Sequence, residues 1–434
     1  MPRTSVAYRI AATIGVPLVP LVARTGGRRH AHADRLDAPE DLRDWAQTHR
    51  DAARPLAWFH AASVGEGLQA LAVMNAFRQM VPEAQVIYTH YSPSAEEFAA
   101  TTGADWHGYL CYDRRSDVEQ MLAAAAPDLL VFAKLDLWPE LATRASAAGA
   151  AVAMVAASVS PDSGRLRWPS RVFARPGYTV LDRVAANSAE DAERLVILGA
   201  PGDRITVTGD PRVDSVIDRV DRTPADDPLR RIAEAERTLV AGSTWLQDEE
   251  VVLAAFRRVR DAHPRATLII APHQPTRENL HRIARRAAEL GLPETVRLST
   301  MRGPGEHPLI VIDTVGVLAR AYASGSIAYV GGGFGLKGIH SILEPAAWHR
   351  PVIIGRHDRG SRDAAMLDAA GALTRLTASD PAAQLTARWL SWLDDPAAAH
   401  AAGEAARRAL EGDRGAAQRS ADLLVPLLRR KSGG

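Results

Sequence analysis

Residues 326–355, SIAYVGGGFGLKGIHSILEPAAWHRPVIIG, decide the fold class. The apolar run 327–330 predicts a buried strand, 331–338 a glycine-rich turn, Ser341 the approximate start of a helix, and 351–354 another strand. Glycines at the carboxyl end of a strand let backbone N–H groups approach an anion, and the N-terminus of the next helix adds positive dipole. The stretch therefore fits a nucleotide-binding turn, and it fits equally a turn that only packs a helix on a sheet.

The same stretch matches the dinucleotide fingerprint only in form. Gly333, Gly335 and Gly338 have the GxGxxG spacing, but so short a pattern is weak in a chain with 32 glycines. A dinucleotide site also needs an acidic residue at the end of the next strand, which here ends at Gly355. No Walker A sequence occurs. Glu344, early in the predicted helix, is instead placed to accept hydrogen bonds from the sugar hydroxyls of a nucleotide.

Apolar runs and helical patterns alternate through two halves of the chain. In the first half the predicted strands are 56–59, 85–89, 128–133, 151–156, 183–187 and 205–207, and the predicted helices include 67–80, 138–148 and 189–198. In the second half the predicted strands are 238–241, 267–271, 309–312, 327–330 and 351–354, and the predicted helices include 248–262, 276–290 and 317–323. Each series is typical of a parallel sheet with helices on both faces.

A stretch with dense charge and three prolines, 208–228, lies between the halves and has the composition of an interdomain connection. We therefore predict an α/β fold of two Rossmann-like, doubly wound domains that face a central cleft, the GT-B class of glycosyltransferases. The predicted domains are an N-terminal membrane-associating segment, 1–30, a first Rossmann-like domain, 31–215, and a second, 216–434. Nucleotide-sugar epimerases share this fold, so the fold alone does not fix the reaction.

Composition argues against several classes of function. The 434-residue chain has a formal net charge of +1, without the positive excess of a general nucleic-acid binder. Its single cysteine, Cys111, rules out a disulfide framework within the chain. The 14 histidines are scattered, and no paired Cys/His spacing of a metal site occurs. We expect neither a nucleic-acid partner nor a metal.

The N-terminus points to a membrane. Residues 10–23 form a 14-residue apolar run with two prolines, flanked by arginines at positions 3, 9, 24, 28 and 29. The run is shorter than the roughly 20 residues of a spanning helix, and it lacks the cleavage site of a signal peptide. We expect a segment embedded in the cytoplasmic face of a membrane, with its arginines on anionic headgroups. The alternative is an ordinary N-terminal core helix.

Polar residues follow the predicted strands of the first half at three places. Glu66 begins the first helix, where a carboxylate is favourable for local reasons but in a cleft becomes a candidate general base. Asp136 is either a helix-capping residue or a polar contact to a transferred sugar, and Lys134 beside it offers a cation to a carboxylate or phosphate. Arg212 is either a solvated charge or a cation for a reacting group.

Read together, these stretches resemble the family of 3-deoxy-D-manno-oct-2-ulosonic acid (Kdo) transferases, which attach Kdo to the lipid A precursor. The similar segments occur in the family's order over most of the chain. They are HAASVGE at 60–66, LVILGAPGDRITVTGDPRVD at 195–214, GSTWLQDEE at 242–250, LIIAPHQPTR at 268–277, DTVGVLARAY at 313–322 and GGGFGLKGIHSILEPAAWHRPVIIG at 331–355. One such segment is moderately specific, whereas six in register are a strong signal.

The resemblance implies a role for each matching residue. Glu66 would be the general base, while Asp136 and Arg212 would steady the donor and the transition state. The residues implied for the CMP pocket are Pro272, His273, Gly316, Val317, Leu318, His340, Ser341, Ile342, Leu343 and Glu344. The implied reaction is a metal-independent, inverting transfer of Kdo, or a related keto-sugar acid, from its CMP-activated donor to a lipid A precursor in lipopolysaccharide biosynthesis. The implied location is the cytoplasmic side of the inner membrane.

The chain departs from the family's motifs at several positions. The family's Glu-Thr-Glu-Leu-Trp-Pro is Lys-Leu-Asp-Leu-Trp-Pro at 134–139, so one acidic group has become basic and another is shortened. Four further positions differ: an Arg of the family is His273 here, an Asn is Ser341, a Lys is Arg212 and a Glu is Val317. A bidentate arginine and a histidine do not bind phosphate equivalently. The exact donor sugar and the number of sugars transferred therefore stay open.

Two other functions remain open at this stage. A nucleotide-sugar epimerase or hydrolase of the same fold would act on a soluble sugar nucleotide and would not need the N-terminal apolar run. A non-catalytic nucleotide-sugar-binding protein would bind CMP without turnover, and the change Glu66→Gln would leave it unaffected. Transfer to a lipid acceptor separates the first hypothesis from both.

Overall fold

The structure, a computed structural model, describes residues 4–16, 26–301, 303, 307–335 and 338–429. The chain divides into two compact units, one formed by Met1–Asp214 with Asp413–Gly434 and the other by Ser215–Gly412. Each unit contains a seven-stranded parallel sheet, which confirms the predicted α/β class with two Rossmann-like halves. Arg3 and Arg24 of the N-terminal segment, and Lys337 of the glycine turn, lie outside the described residues.

The first unit contains seven strands and the helices that alternate with them. Its strands are β1 (Leu56–His60), β2 (Gln85–His90), β3 (Trp106–Tyr109), β4 (Leu129–Ala133), β5 (Ala151–Ala157), β6 (Arg183–Ala186) and β7 (Ile205–Val207). Its helices are α1 (Val6–Gly15), α2 (Gly26–His49), α3 (Val64–Met80), α4 (Glu96–Ala100), α5 (Arg115–Ala125), α6 (Pro139–Ala147), α7 (Ser170–Thr179) and α8 (Ala189–Leu198). Helix α9 (Pro211–Asp221) contains the boundary between the units.

The strands of the first sheet run in the order β3-β2-β1-β4-β5-β6-β7, and all neighbours are parallel. Every residue of β1, β2 and β4 is buried, as expected for a parallel sheet covered on both faces. The strand order reverses between β1 and β4, so the loops that follow these two strands diverge to opposite sides. This switch point is where doubly wound sheets bind their ligands.

The second unit repeats this plan. Its strands are β8 (Thr238–Thr244), β9 (Thr267–Pro272), β10 (Val296–Arg297), β11 (Leu309–Val311), β12 (Ile327–Val330), β13 (Val352–Ile354) and β14 (Leu373–Arg375). Its helices are α10 (Leu246–Ala262), α11 (Arg277–Glu289), α12 (Leu318–Ala321), α13 (Leu343–Ala347), α14 (Arg362–Ala369), α15 (Pro381–Asp394) and α16 (Pro396–Glu411). The parallel order β10-β11-β9-β8-β12-β13-β14 places the switch point between β8 and β12.

The C-terminal helix α17 (Ala416–Arg429) corrects the predicted domain assignment, which gave all of 216–434 to the second half. Residues 413–434 belong to the first unit. The Asp214 carboxylate accepts hydrogen bonds from the Gly415 and Ala417 amides at 2.5 and 2.7 Å, and so anchors the start of α17. Apolar side chains of α17, including Leu424, share a core with Phe77 of α3. An amphipathic helix pattern does not show against which sheet a helix packs, so the contacts of α17 could not be read from the sequence.

Two local predictions also need correction. The helix expected from about Ser341 begins at Leu343 and has only five residues, because Pro345 and the loop before it leave little regular backbone. Strands β3, β10 and β14 were not predicted, since each is short and partly exposed. Among the described residues no helix has the length and apolar character needed to cross a bilayer.

Candidate functional site

The first unit joins His60 and Asp136 at the switch point of its sheet. His60 is the last residue of β1, and Asp136 lies in the loop after β4, the neighbouring strand. The imidazole Nε2 is 2.8 Å from the Asp136 Oδ2, and the histidine side chain is fully buried. These residues are 76 positions apart in the sequence, so the parallel pairing of β1 with β4 brings them together.

A chain of hydrogen bonds sets the tautomer of His60. The Trp58 indole can only donate, and its Nε1 lies 2.8 Å from the Thr89 Oγ1. An ionised carboxylate only accepts, so His60 Nε2, 2.8 Å from Asp136, holds the ring proton, and the Trp138 indole, 3.2 Å from both groups, donates to the carboxylate. The other ring nitrogen, Nδ1, then accepts from the Thr89 hydroxyl, 2.9 Å away. The relay Trp58–Thr89–His60 thus presents a fixed donor to the carboxylate.

Asp136 is held in its ionised form. Burial alone would raise the pKa of this carboxyl group, but the hydrogen bonds from His60 and the Trp138 indole, together with the Arg165 guanidinium, lower the pKa below its usual range. The Trp138 Nε1 lies 3.2 Å from Asp136 Oδ2, and the nearest Arg165 nitrogen lies 3.6 Å from Oδ1. Lys134, which precedes this site, adopts a left-handed backbone with φ 58°, an uncommon conformation for a residue other than glycine.

Glu66 lies in the first turn of α3, the helix that follows β1. Its carboxylate accepts a hydrogen bond from the Ser63 hydroxyl at 3.1 Å and is half-buried. Ser63 does not cap the helix through its side chain, so its hydroxyl orients the glutamate instead. The next residue is Gly67, where a Cβ would collide with the Phe98 ring; the close packing fixes this end of α3.

Arg212 is paired with a buried carboxylate. Its Nε and Nη2 lie 2.9 and 2.6 Å from Asp210 Oδ2, and its backbone amide donates to Oδ1. Burial would raise the pKa of Asp210, but the Arg212 cation and its hydrogen bonds lower it. Gln69, one turn after Glu66 on α3, donates to the same carboxylate at 3.3 Å. Asp210 therefore connects Arg212 to α3, the helix on which Glu66 lies, because it accepts hydrogen bonds from both Arg212 and Gln69.

In the second unit, the glycine turn is packed against the end of β8. A Cβ on Gly331 would collide with the Ser243 carbonyl oxygen and lie 2.8 Å from the Thr244 Cα, so only hydrogen fits. Gly333 packs equally closely against Gly355, which follows β13: a Cβ on Gly333 would lie 2.6 Å from the Gly355 nitrogen. These glycines permit close approach of neighbouring backbones. The turn therefore has a packing role, whatever it binds.

Asp248, on α10, organises both loops of this switch point. Its Oδ2 accepts hydrogen bonds from the Trp245 amide after β8 and from the Gly332 amide after β12, each at 2.9 Å. Its Oδ1 accepts from the Tyr329 hydroxyl at 2.7 Å. Burial raises the pKa of Asp248, and these three hydrogen bonds oppose the rise. One buried carboxyl group thus fixes the separation of the two loops.

Three aromatic rings stack beside this pair of loops. The centroids of Trp245 and His273 are 4.5 Å apart, and those of His273 and His340 are 4.3 Å apart, with interplanar angles of 25° and 22°. The Trp245 indole donates to His340 Nε2 at 3.0 Å, so that nitrogen is an acceptor and the ring is not protonated there. His273, predicted from the sequence, stacks on both of the other rings and is exposed.

The other residues predicted for the nucleotide lie around the same sheet edge. Pro272 ends β9, and Leu318 and Tyr322 would both contact a Cβ placed on Gly242 of β8. Gly316 has φ 83° and lies with Val317 in the partly exposed loop before α12. The Ser341 hydroxyl bonds the Glu344 carboxylate, while Ile342 and Leu343 are buried. Glu344 is close enough to Tyr322 to raise the pKa of that buried hydroxyl further, burial being the larger cause.

The structure therefore places Glu66, Asp136 and Arg212 in one unit, and the predicted nucleotide residues in the other. Sequence reasoning missed the Trp58–Thr89–His60 relay, Asp248 and the partnership of Trp245 with two histidines. Some signals were present: Asp248 comes three residues after Trp245 at a helix start, and His60 is a polar residue ending an apolar strand. No group of three or more His, Cys, Asp or Glu suited to a metal ion occurs among the described residues.

Comparison with known proteins gives a family match for the first half. Residues 34–215 match the family model described as 3-deoxy-D-manno-octulosonic-acid transferase (kdotransferase). A 3-deoxy-D-manno-octulosonic acid transferase of Bordetella pertussis is 29% identical over 435 residues, covering 96% of this chain and 98% of that protein. The protein of the same name from Haemophilus influenzae is 26% identical over 383 residues, covering 86% and 87%.

Solved structures provide a comparison of fold. The crystal structure of UDP-GlcNAc 2-epimerase from Neisseria meningitidis bound to UDP-GlcNAc has a TM-score of 0.60, covering 87% of this chain and all (100%) of that one. A complex of Anabaena Alr3699/HepE with UDP has a TM-score of 0.55 over 87% of this chain and 98% of that one. Sequence identities are 14% and 11%, so these likenesses show the fold alone.

Proposed function

We propose that this chain, whose residues 34–215 match the Kdo transferase family model and which is 29% identical to a protein of that name, catalyses the same class of transfer. The donor is CMP-activated Kdo or a related keto-sugar acid, and the acceptor is a lipid A precursor. The reaction belongs to lipopolysaccharide biosynthesis. One oxygen of the acceptor forms a bond to the anomeric carbon, and the bond from that carbon to the CMP phosphate oxygen breaks.

The position of these residues in the fold supports the proposal independently of the sequence resemblance. Residues in the family-like segments lie at the carboxyl edge of each sheet, around its switch point. In the first unit they include Glu66 and Asp136; in the second they include His273 and His340. Switch points are where doubly wound sheets bind ligands, so the placement fits two binding sites, one in each unit.

In the first unit we assign Glu66 as the general base. Its carboxylate would take the proton of the acceptor hydroxyl as that oxygen attacks, and the Ser63 hydroxyl at 3.1 Å would keep it oriented. Attack on the face opposite the departing CMP gives inversion. Asp136 would accept a hydrogen bond from a sugar hydroxyl, and Arg212 would face the charge of the transition state while Asp210 holds its guanidinium in place.

In the second unit we assign the CMP site. Backbone amides of the glycine turn and the imidazoles of His273 and His340 offer N–H donors to the phosphate, and Glu344 offers acceptors to the ribose hydroxyls. The leaving phosphate would be stabilised by these fixed donors, without a metal. The remaining residues assigned to the pocket are Pro272, Gly316, Val317, Leu318, Ser341, Ile342 and Leu343.

The lipid acceptor places the reaction at a membrane. We propose the cytoplasmic side of the inner membrane, where the acceptor and the soluble CMP-activated donor meet. The amphipathic helix α1, which exposes Val6, Ile10 and Ile14, supports attachment of the first unit to the lipid surface.

The test is a transfer assay with CMP-Kdo and a tetra-acylated lipid A precursor, following CMP release and the mass of the lipid. We expect the lipid to gain one or more Kdo units with the unaltered chain and none with Glu66→Gln. Glu97→Gln is the matched control, because Glu97 is also a first-turn glutamate but is exposed on α4. CMP binding without transfer or release would contradict the enzyme assignment, and CMP release without a heavier lipid would contradict the acceptor.

A further inference from the structure

The N-terminal part of α7 and the residues before it form an unusually exposed apolar and basic element. Trp168 is 80% exposed and Val172 is 53% exposed, and Arg171 and Arg175, one helical turn apart on α7, are exposed as well. Exposed tryptophan on a soluble surface is uncommon and marks a surface that contacts something else. The packed face of α7 is formed by Ala174 and Tyr178.

The charge of this element has one sign. Residues 163–181 contain four arginines and no acidic residue. Arg165 pairs with Asp136, but Arg167, Arg171 and Arg175 make no ion pair with any residue that the structure describes. Three basic side chains therefore surround the exposed apolar pair without a counter-charge from the described part of the chain, as expected for a surface that meets an anionic partner.

Helix α1 lies beside this element. The rings of Tyr8 and Phe173 pair at a centroid distance of 6.4 Å. Tyr8 also donates to the Asp113 carboxylate at 2.6 Å, and Arg9 pairs with Glu140 at 3.2 Å, so the polar face of α1 is fastened to the first unit. The opposite face carries Val6, Ile10 and Ile14, which are 70%, 53% and 60% exposed and lie four residues apart.

We propose that α1 and the start of α7 together form a docking surface for a bilayer that contains anionic phospholipid. The docking surface consists of Val6, Ile10, Ile14, Trp168, Arg171, Val172 and Arg175. The aliphatic side chains enter the boundary between headgroups and acyl chains, Trp168 lies at headgroup level, and the arginines contact lipid phosphates. This inference rests on the proposed function in that it identifies the part of the first unit that meets the membrane of the lipid acceptor.

The docking surface adjoins the site in the first unit. Arg165, three residues before Trp168, reaches Asp136 at 3.6 Å, and Asp136 is bonded to His60. A bilayer on the docking surface would therefore present a lipid-borne sugar close to the carboxyl edge of the first sheet. The N-terminal segment supplies only part of the attachment, and α7, more than 140 residues later in the chain, supplies the tryptophan and the free arginines.

The test is a flotation assay of the full chain with vesicles of phosphatidylcholine containing roughly 30% phosphatidylglycerol, a composition chosen to match an anionic leaflet. We expect Trp168→Ser with Val172→Ser to lower the partition coefficient about tenfold or more, since an apolar side chain is returned to water. Arg171→Gln with Arg175→Gln should lower it roughly fivefold per arginine, and only on anionic vesicles.

The matched control is Val196→Ser with Ile197→Ser, two adjacent apolar residues of α8 that are each 48% exposed in the same unit. The control should bind vesicles like the unaltered chain, and circular dichroism checks that all variants are folded. Equal binding by the control and the Trp168 pair, or equal binding to neutral and anionic vesicles, would overturn the proposal. Loss of self-association in the Trp168 pair without loss of vesicle binding would assign the surface to a second copy of the chain.

A second assay separates this inference from the proposed function. With a deacylated, water-soluble acceptor and no vesicles, the Trp168 pair should transfer at the rate of the unaltered chain, while with acceptor in vesicles it should be slower about tenfold, in line with its binding. Failure of the unaltered chain with both acceptors would contradict the proposed reaction and leave the vesicle result standing. Equal slowing with the soluble acceptor would overturn the docking role.

Discussion

The imidazole of His60 donates from Nε2 to Asp136, 2.8 Å away, at the point where the strand order of the first sheet reverses. Thr89 bonds the other ring nitrogen, so the proton cannot move to Nδ1 without losing a hydrogen bond. Asp136 is therefore an ionised acceptor with a fixed orientation. We infer that His60 is a positioning residue, which acts on a bound sugar through Asp136.

Replacing His60 by Asn should lower kcat/KM of the transfer by about 10- to 100-fold, the range expected for a lost hydrogen bond to a charged group. Replacing it by Gln should restore part of the loss, because the glutamine amide nitrogen reaches nearer to the position of Nε2. Steady-state kinetics of both variants tests this. Equal activity of Asn, Gln and the unaltered chain would show that the pair only supports the fold.

Replacing Thr89 by Val should lower the free energy of unfolding by about 1–3 kcal/mol, since the buried Trp58 N–H loses its acceptor. The same change should slow transfer several-fold by freeing the tautomer of His60. Thr386→Val is the control, because within the described part of the chain that buried hydroxyl bonds only a carbonyl of its own helix, Ala382. Urea unfolding and kinetics should separate the two variants, and similar results for both would count against the relay.

The attachment of α1 gives the first unit a pH dependence. Burial raises the pKa of Asp113 to about 6, from a usual value of 3.8, although Tyr8 and two backbone amides donate to it. Between these values the folded chain binds a proton that the unfolded chain has lost. The resulting stabilisation is complete below about pH 4 and is lost as the pH rises through about 6, a change of about 3 kcal/mol.

Asp113→Asn should remove this slope, so the unfolding free energy of the unaltered chain minus that of the variant should fall by about 3 kcal/mol as the pH rises from roughly 3 to roughly 7. Above about pH 7 the difference should be constant. Urea unfolding at half-unit steps of pH measures it, with Asp203→Asn, in an exposed turn, as the control. Parallel curves for Asp113→Asn and the unaltered chain would show that Asp113 does not titrate in this range.

Both sheets were predictable because fully buried parallel strands are continuous apolar runs, bounded by turn residues. Edge strands such as β10, Val296–Arg297, were not predictable, since two partly exposed residues are too few to show a pattern of alternating apolar and polar side chains. The packing partner of α17 was not predictable either, because an amphipathic pattern shows that a helix buries one face but not which core it joins. Contacts between distant positions set its place, notably Asp214 with Gly415.

The candidate site was predictable residue by residue but not as an arrangement. Glu66 and Asp136 follow strands, and that alone places them at the edge of a parallel sheet. What orients them depends on residues with no local signature, such as Thr89 within an apolar strand. Asp248 has the appearance of an ordinary helix-start carboxylate, and only the fold shows that it also holds the glycine turn at Gly332.

Gly331 and Gly335 provide a matched pair within the glycine turn. Gly331→Ala should destabilise the second unit by about 1–3 kcal/mol and weaken CMP binding at least tenfold, because its Cβ would collide with backbone at Ser243 and Thr244. Gly335→Ala should be tolerated, since the nearest atom lies 3.6 Å away and belongs to the flexible Gln247 side chain. Thermal unfolding and calorimetric titration with CMP measure both effects. Similar losses in the two variants would mean that the turn does not depend on close packing.

The Trp245–His340 hydrogen bond predicts how the nucleotide site recognises its ligand. The indole N–H donates to His340 Nε2 at 3.0 Å, so the proton of the neutral ring is on Nδ1, which can donate to a ligand.

Trp245→Phe keeps a ring to stack on His273 but removes the indole N–H. CMP affinity should therefore fall roughly fivefold, which corresponds to the loss of one neutral hydrogen bond. Trp389→Phe is the control, because the buried Trp389 N–H has no partner among the described residues, so its loss breaks no hydrogen bond there. Nitrogen-15 NMR should show the Nδ1–H tautomer of His340 in the unaltered chain and a tautomer mixture in Trp245→Phe. An Nε2–H tautomer in the unaltered chain would contradict the assignment, because the indole and the imidazole would then both be donors at a single 3.0 Å contact.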